Sequence, residues 1–97
     1  MATKKIAPKW TDIDQKSRKR LRGELRESAR SLRHRAKNEH ALCGWRERMA
    51  SRVDATEWQV ENSKKRARQH RAAATRLDRR ADAFDALIGL ISRHIDD

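Results

Sequence analysis

Apolar residues recur along this chain at the spacing of a helix seam, and one heptad frame can be laid over them without a shift. One row of the frame reads Leu25, Leu32, Glu39, Arg46, Val53, Val60, Ala67, Ala74, Ala81, Ile88 and Ile95. Its companion reads Leu21, Ser28, Arg35, Leu42, Met49, Thr56, Ser63, His70, Leu77, Phe84 and Ile91. The stripe is apolar from Leu21 to Leu32, polar from Arg35 to Arg46, lined by alanine through the middle and heaviest from Leu77 onward. Alanine lets helices approach closely, whereas a coiled-coil seam ordinarily takes larger knobs.

Little interrupts this pattern. Pro8 is the only proline, the glycines are Gly23, Gly44 and Gly89, and good helix formers dominate while strand-favouring residues are scarce. Helix is predicted from Thr11 to the end, preceded by a basic N-terminal arm over 1–10. Thr11 and Asp14 have the spacing of an N-cap pair, with Trp10 set to pack back on the first turn. The polar interval coincides with Asn38 and Gly44, which predicts a turn between Lys37 and Trp45. Thr75 and Asp78 form another capping pair that would allow a second break. The expected fold is therefore all-α, with coiled-coil-like packing in a single helical domain over 11–97. It is either a helical hairpin with a long overhanging second helix or a small three-helix bundle, with helices near 11–42, 46–73 and 76–95. An unbroken helix is disfavoured because its polar interval would face a partner's seam. The apolar C-terminal positions Leu77, Phe84, Ile88, Ile91 and Ile95 predict self-association, as a homo-oligomer or as a subunit of a larger complex.

Charge changes the picture more than composition does. Of 97 residues, 40% are charged, 36% are hydrophobic and the net charge is +11, so an acidic partner is expected. The excess is concentrated: residues 16–37 carry +8 and residues 64–80 carry +7, while 38–63 carry −2 and 81–97 carry −3. A turn near Gly44 would bring the two basic blocks side by side.

Within the first block, Lys19, Arg22, Arg26, Arg30, Arg33 and Lys37 follow one another at spacings of three or four. They form one ridge, about 27 Å long at 1.5 Å per residue, set roughly 100° from the apolar face. Lys64, Lys65, Arg66, Arg68 and Arg71 cover a broader arc. Only Glu24 and Glu27 accompany the ridge, too few to pair with it as a merely solvated face would. These two blocks are the candidate nucleic-acid-binding residues, contacting phosphates without reading bases.

The other chemistry is sparse. His40 and Cys43 stand three apart, but no further ligands complete a zinc site, and His34, His70 and His94 are scattered. No nucleophile elbow, phosphate loop or paired-carboxylate motif is present, so neither catalysis nor a cofactor is expected. A lone cysteine cannot form an intrachain disulfide, and no signal-like or membrane-length apolar run occurs. The expectation is a cytoplasmic protein, nucleoid-associated if it binds DNA, with no membrane role. Its expected function is nucleic-acid binding, DNA favoured over RNA, as an accessory factor or a helical subunit of a nucleoprotein assembly. The alternative is a small inhibitor or adaptor that docks on an acidic protein surface, with Trp45 and Trp58, both off the stripe, as partner contacts.

Overall fold

The computed structural model describes residues 2–96, with side chains described from residue 14 onward. Two helices, α1 over Ala2–Ala50 and α2 over Glu57–Ser92, lie against each other in an antiparallel hairpin with extents of 80 × 18 × 15 Å. An all-α hairpin, one of the two folds expected from the heptad pattern, is thus the fold, but the overhang belongs to the 49-residue α1 and not to the 36-residue α2, and the three-helix alternative is not formed.

The turn falls at 51–56 and not at 37–45, and the helix starts ahead of Thr11. A single interior glycine costs a helix only about 1 kcal/mol. Gly44 is carried because its neighbours keep the seam intact, Ala36 being 1% and Cys43 4% exposed. The real break has stronger causes. Val53 and Asp54 are poor helix formers. Thr56 then caps α2 by accepting from the Gln59 amide at 3.2 Å, while the Gln59 side chain accepts from the Thr56 amide at 2.8 Å. No second break occurs at Thr75, whose hydroxyl donates to the Arg71 carbonyl at 3.0 Å inside the helix. Asp14 does not act as a cap partner; it pairs with Arg18 one turn on. The expected packing of Trp10 lies outside the described side chains.

The seam itself corrects half of the heptad frame. On α2 and the turn after it, the frame positions Val60, Ser63, Ala67, His70, Ala74, Leu77, Ala81, Phe84, Ile88, Ile91 and Ile95 are all buried or half-buried. On α1 the row Leu25, Leu32, Glu39, Arg46 holds, but its companion is Arg22, Ala29, Ala36, Cys43, Ala50, one residue on from the expected Leu21, Ser28, Arg35, Leu42, Met49. Leu21 and Leu42 are left 45% and 43% exposed. The small row wins because it keeps Arg35 in water and lets the alanines of α1 meet Ala67, Ala74 and Ala81 of α2 at close approach. Leu32, Ala36, Leu77 and Ala81 form the core cluster, with Phe84 packed against it.

The polar interval in the stripe also finds its use. Glu39 and His70, one from each helix's seam, meet at 2.6 Å between Oε2 and Nδ1, so the two polar interruptions face each other. A polar pair at one seam level penalises any slipped alignment, which fixes the register of two otherwise repetitive alanine faces.

Candidate nucleic-acid interface

That register decides where the charges go. Arg71 pairs with Glu47 and Gln15 reaches His94, so residues 64–71 lie beside the end of α1 and residues 16–37 lie beside the end of α2. The two basic blocks therefore do not lie side by side over their length, as a turn near Gly44 would place them; they meet only at mid-hairpin, where Leu32 and Ala36 pack on Leu77 and Ala81 and Arg80 shares a cleft with Ser28 and Ser31. Each basic block has some acidic neighbours across the seam, Asp82 and Asp85 beside Arg33 and Glu39 and Glu47 beside His70 and Arg71, which relieves part of the chain's self-repulsion.

The two long edges of the hairpin differ as a result. On one, Arg33 bonds both Asp82, at 3.0 Å, and Asp85, His40 approaches Asp78 at 3.3 Å, and Arg71 pairs with Glu47. The carboxylates of Asp85 and then Asp82 hold the Arg33 guanidinium charged even above its ordinary range. Lys64, Arg68 and Arg71 border a cleft of about 290 Å³ with Glu47 on this same edge.

The opposite edge is built differently. Ser28, Ser31 and Arg80 share a cleft of about 440 Å³ with Phe84, and Arg46, Met49, Gln59 and Asn62 share another of about 400 Å³ near the loop. Between these two clefts, helical spacing puts Arg35 in line with Ser28 and Ser31. It likewise puts Arg66 and Arg76 in line with Asn62 and Arg80. Arg35, Arg46, Arg66, Arg76 and Arg80 thus share one edge, over a length of about 20 Å. Carboxylates stand at both ends of it: Glu27 lines the Arg80 cleft and is held by Arg30 at 2.7 Å, and Asp54 lines the Arg46 cleft and is held by Arg52 at 3.0 Å. Arg46 stacks on Trp45, its guanidinium carbon 4.7 Å from the ring centre, with its Nε buried and unpartnered.

The residues singled out in the sequence are divided by this geometry. Lys19, Arg26, Arg30 and Lys37 are exposed along α1, Arg22 is half-buried in the seam, and Arg33 is committed to α2. Lys64, Lys65, Arg66, Arg68 and Arg71 are all exposed, but only Arg66 joins the arginine edge. Arg35, Arg46, Arg76 and Arg80 were missed; the signal was the steps of three and four that link 66, 69, 73, 76 and 80. Trp45 stands on the outer side of α1 and Trp58, 72% exposed, in the first turn of α2. Leu77 and Ile95, expected to serve self-association, are buried inside the hairpin, at 8% and 7% exposure. Among the described residues no cluster of His, Cys, Asp and Glu could hold a metal ion, and no helix is long and apolar enough to cross a membrane.

The fold and this edge define a charged two-helix hairpin of coiled-coil type. No protein-family model, no curated protein and no solved structure is significantly similar to the chain.

Proposed function

We propose that the protein binds nucleic acid through its phosphates, duplex DNA being the leading candidate, with the arginine edge as the primary contact. One observation supports this reading: Arg35, Arg46, Arg66, Arg76 and Arg80 share an edge along whose middle the carboxylate of Glu39 is held by His70, while Glu47, Asp78, Asp82 and Asp85 are engaged on the other edge. Solubility alone has no need of such sorting, because mixed charge on both edges would serve it equally. An edge of about 20 Å matches roughly six phosphates of one strand at 3.4 Å each. The exposed Lys19, Arg26 and Lys37 on α1 add attraction at longer range. Arginines bonded to phosphates position a protein and leave base sequence unread, so binding is expected to be general.

The test is the affinity for a short DNA duplex as a function of salt. Five phosphates neutralised on duplex DNA give a log–log slope of about −4.5. Absence of any mobility shift at low salt overturns the proposal, as does a salt-independent affinity.

A further inference from the structure

The loop end of the hairpin holds groups that the arginine edge does not use. Trp58, in the first turn of α2, is 72% exposed, although burying such a ring is among the larger gains open to a small fold. It borders the cleft of about 400 Å³ beside the loop, a size within the roughly 300–1,000 Å³ usual for small-ligand sites, and Arg46 borders the same cleft from α1. Other charge there cancels, because Arg52 donates to both oxygens of Asp54. Arg46 is different. It is half-buried and stacked on Trp45, its Nε is buried without a partner, and no carboxylate among the described residues bonds it. A partly desolvated positive charge thus stands without a counter-ion, which favours an anion from outside the chain.

The walls of the cleft favour one kind of anion. Trp58 supplies a flat apolar ring and Arg46 a planar cation, the two surfaces on which nucleobases stack. The same walls carry the amides of Gln59 and Asn62, which offer the mixture of donors and acceptors that a base edge needs. Gln59 spends only its oxygen, on the Thr56 amide, and Asn62 bonds nothing among the described residues. An acidic side chain would satisfy Arg46 alone and leave the ring and both amides idle. The cleft also lies where a strand following the arginine edge would end its run: Arg46 belongs to both, and Asn62 precedes Arg66 by one helical turn. A base within a duplex is covered on both faces by its neighbours, so only an unpaired one can enter.

We propose that this cleft receives an unpaired nucleotide, its base against Trp58 and its phosphate on Arg46, at the end of a strand whose other phosphates follow the arginine edge. The protein then prefers junctions between duplex and single strand, a choice among nucleic-acid structures and not among sequences. This inference rests on the nucleic-acid reading above and adds a contact which that reading does not require.

Three probes compared at one low salt concentration test it on the full chain: a short blunt duplex, the same duplex with an unpaired extension at either strand end, and that extension made of abasic sites, which keep the phosphates and lack the bases. The extended duplex should bind about tenfold more tightly than the blunt one, the gain from one stacked base. The abasic extension should lose most of that gain. Trp58→Ala should abolish it and Trp58→Phe should keep most of it, with helicity by circular dichroism retained in both because the side chain is exposed. Equal affinity for the three probes overturns the proposal and leaves the arginine edge standing. So does a gain that survives in Trp58→Ala or with the abasic extension. If none of the probes binds, the nucleic-acid reading falls and this inference falls with it.

Discussion

The side-chain amide of Gln15 donates to the carbonyl of His94 at 3.1 Å while its oxygen accepts from the amide of Asp96 at 3.0 Å. One residue of α1 thereby satisfies two backbone groups just beyond the α2 terminus, where no left-handed glycine closes the helix. Arg18 adds a bond to the same carbonyl at 2.7 Å. Replacing Gln15 by alanine should cost about 1 kcal/mol, the net worth of exposed hydrogen bonds. Amide exchange at Ile95 and Asp96 should accelerate while exchange at Ala74 stays near the global rate.

The alanine seam makes a sharper prediction. Ala36 and Ala74 are 1% and 0% exposed in the seam between the helices. Ala74→Leu should destabilise the hairpin by about 1–3 kcal/mol through overpacking. Leu42→Ala, on an exposed side chain, should change stability by less than about 0.5 kcal/mol. Urea unfolding of both variants checks this. A reversed ranking would mean that the expected row of Leu21 and Leu42 forms the seam after all.

At the other end, Thr56→Ala should remove about 1 kcal/mol by breaking the capping box. The loss should appear as fraying of the first turn of α2, readable in the amide exchange of Gln59 and Val60, whose amides bond Thr56 directly.

The loop carries a pH dependence. Arg52 donates to both oxygens of Asp54, at 3.1 and 3.0 Å, and holds its carboxyl below the ordinary range, helped by a backbone hydrogen bond. A carboxyl titrating lower when folded than when unfolded stabilises the fold above its unfolded range, and loses that contribution as pH falls through the folded value. The group is fully exposed, so the effect is local. Carbon-detected NMR titration of Asp54 should show the lowered midpoint, and Arg52→Ala should restore the ordinary one.

For the arginine edge, Arg76→Ala and Arg80→Ala should each reduce the salt slope for duplex DNA by about 0.9. Arg33→Ala should lower stability more than binding, because Asp82 and Asp85 already occupy that guanidinium. Equal effects of Arg33 and Arg80 on binding would remove the distinction between the two edges.

The helical period, the α2 half of the seam and the bulk charge blocks were all legible in the chain, because each depends on local spacing. The turn was misread because Gly44 and the Arg35–Arg46 interval looked like a break. Only the partner helix reveals that Glu39 finds His70 and that Ala36 and Cys43 complete a row of small residues. The capping signature Thr56-x-x-Gln59 was present and local, and it outweighs a lone glycine. The arginine edge was hidden for a different reason: Arg35 and Arg46 belong to one helix and Arg66, Arg76 and Arg80 to the other, so their shared edge exists only once register is fixed.

The Gln15 clamp has a mechanical consequence. It ties the end of α2 beside the fifteenth residue of α1, while the loop lies about 50 Å away along the paired helices. Ahead of the clamp, α1 continues alone to Ala2, a single helical shaft of about 20 Å. The molecule is therefore a strut with a handle: whatever grips the shaft carries the loop and its neighbouring Arg46 at a set reach, like the tip of a lever.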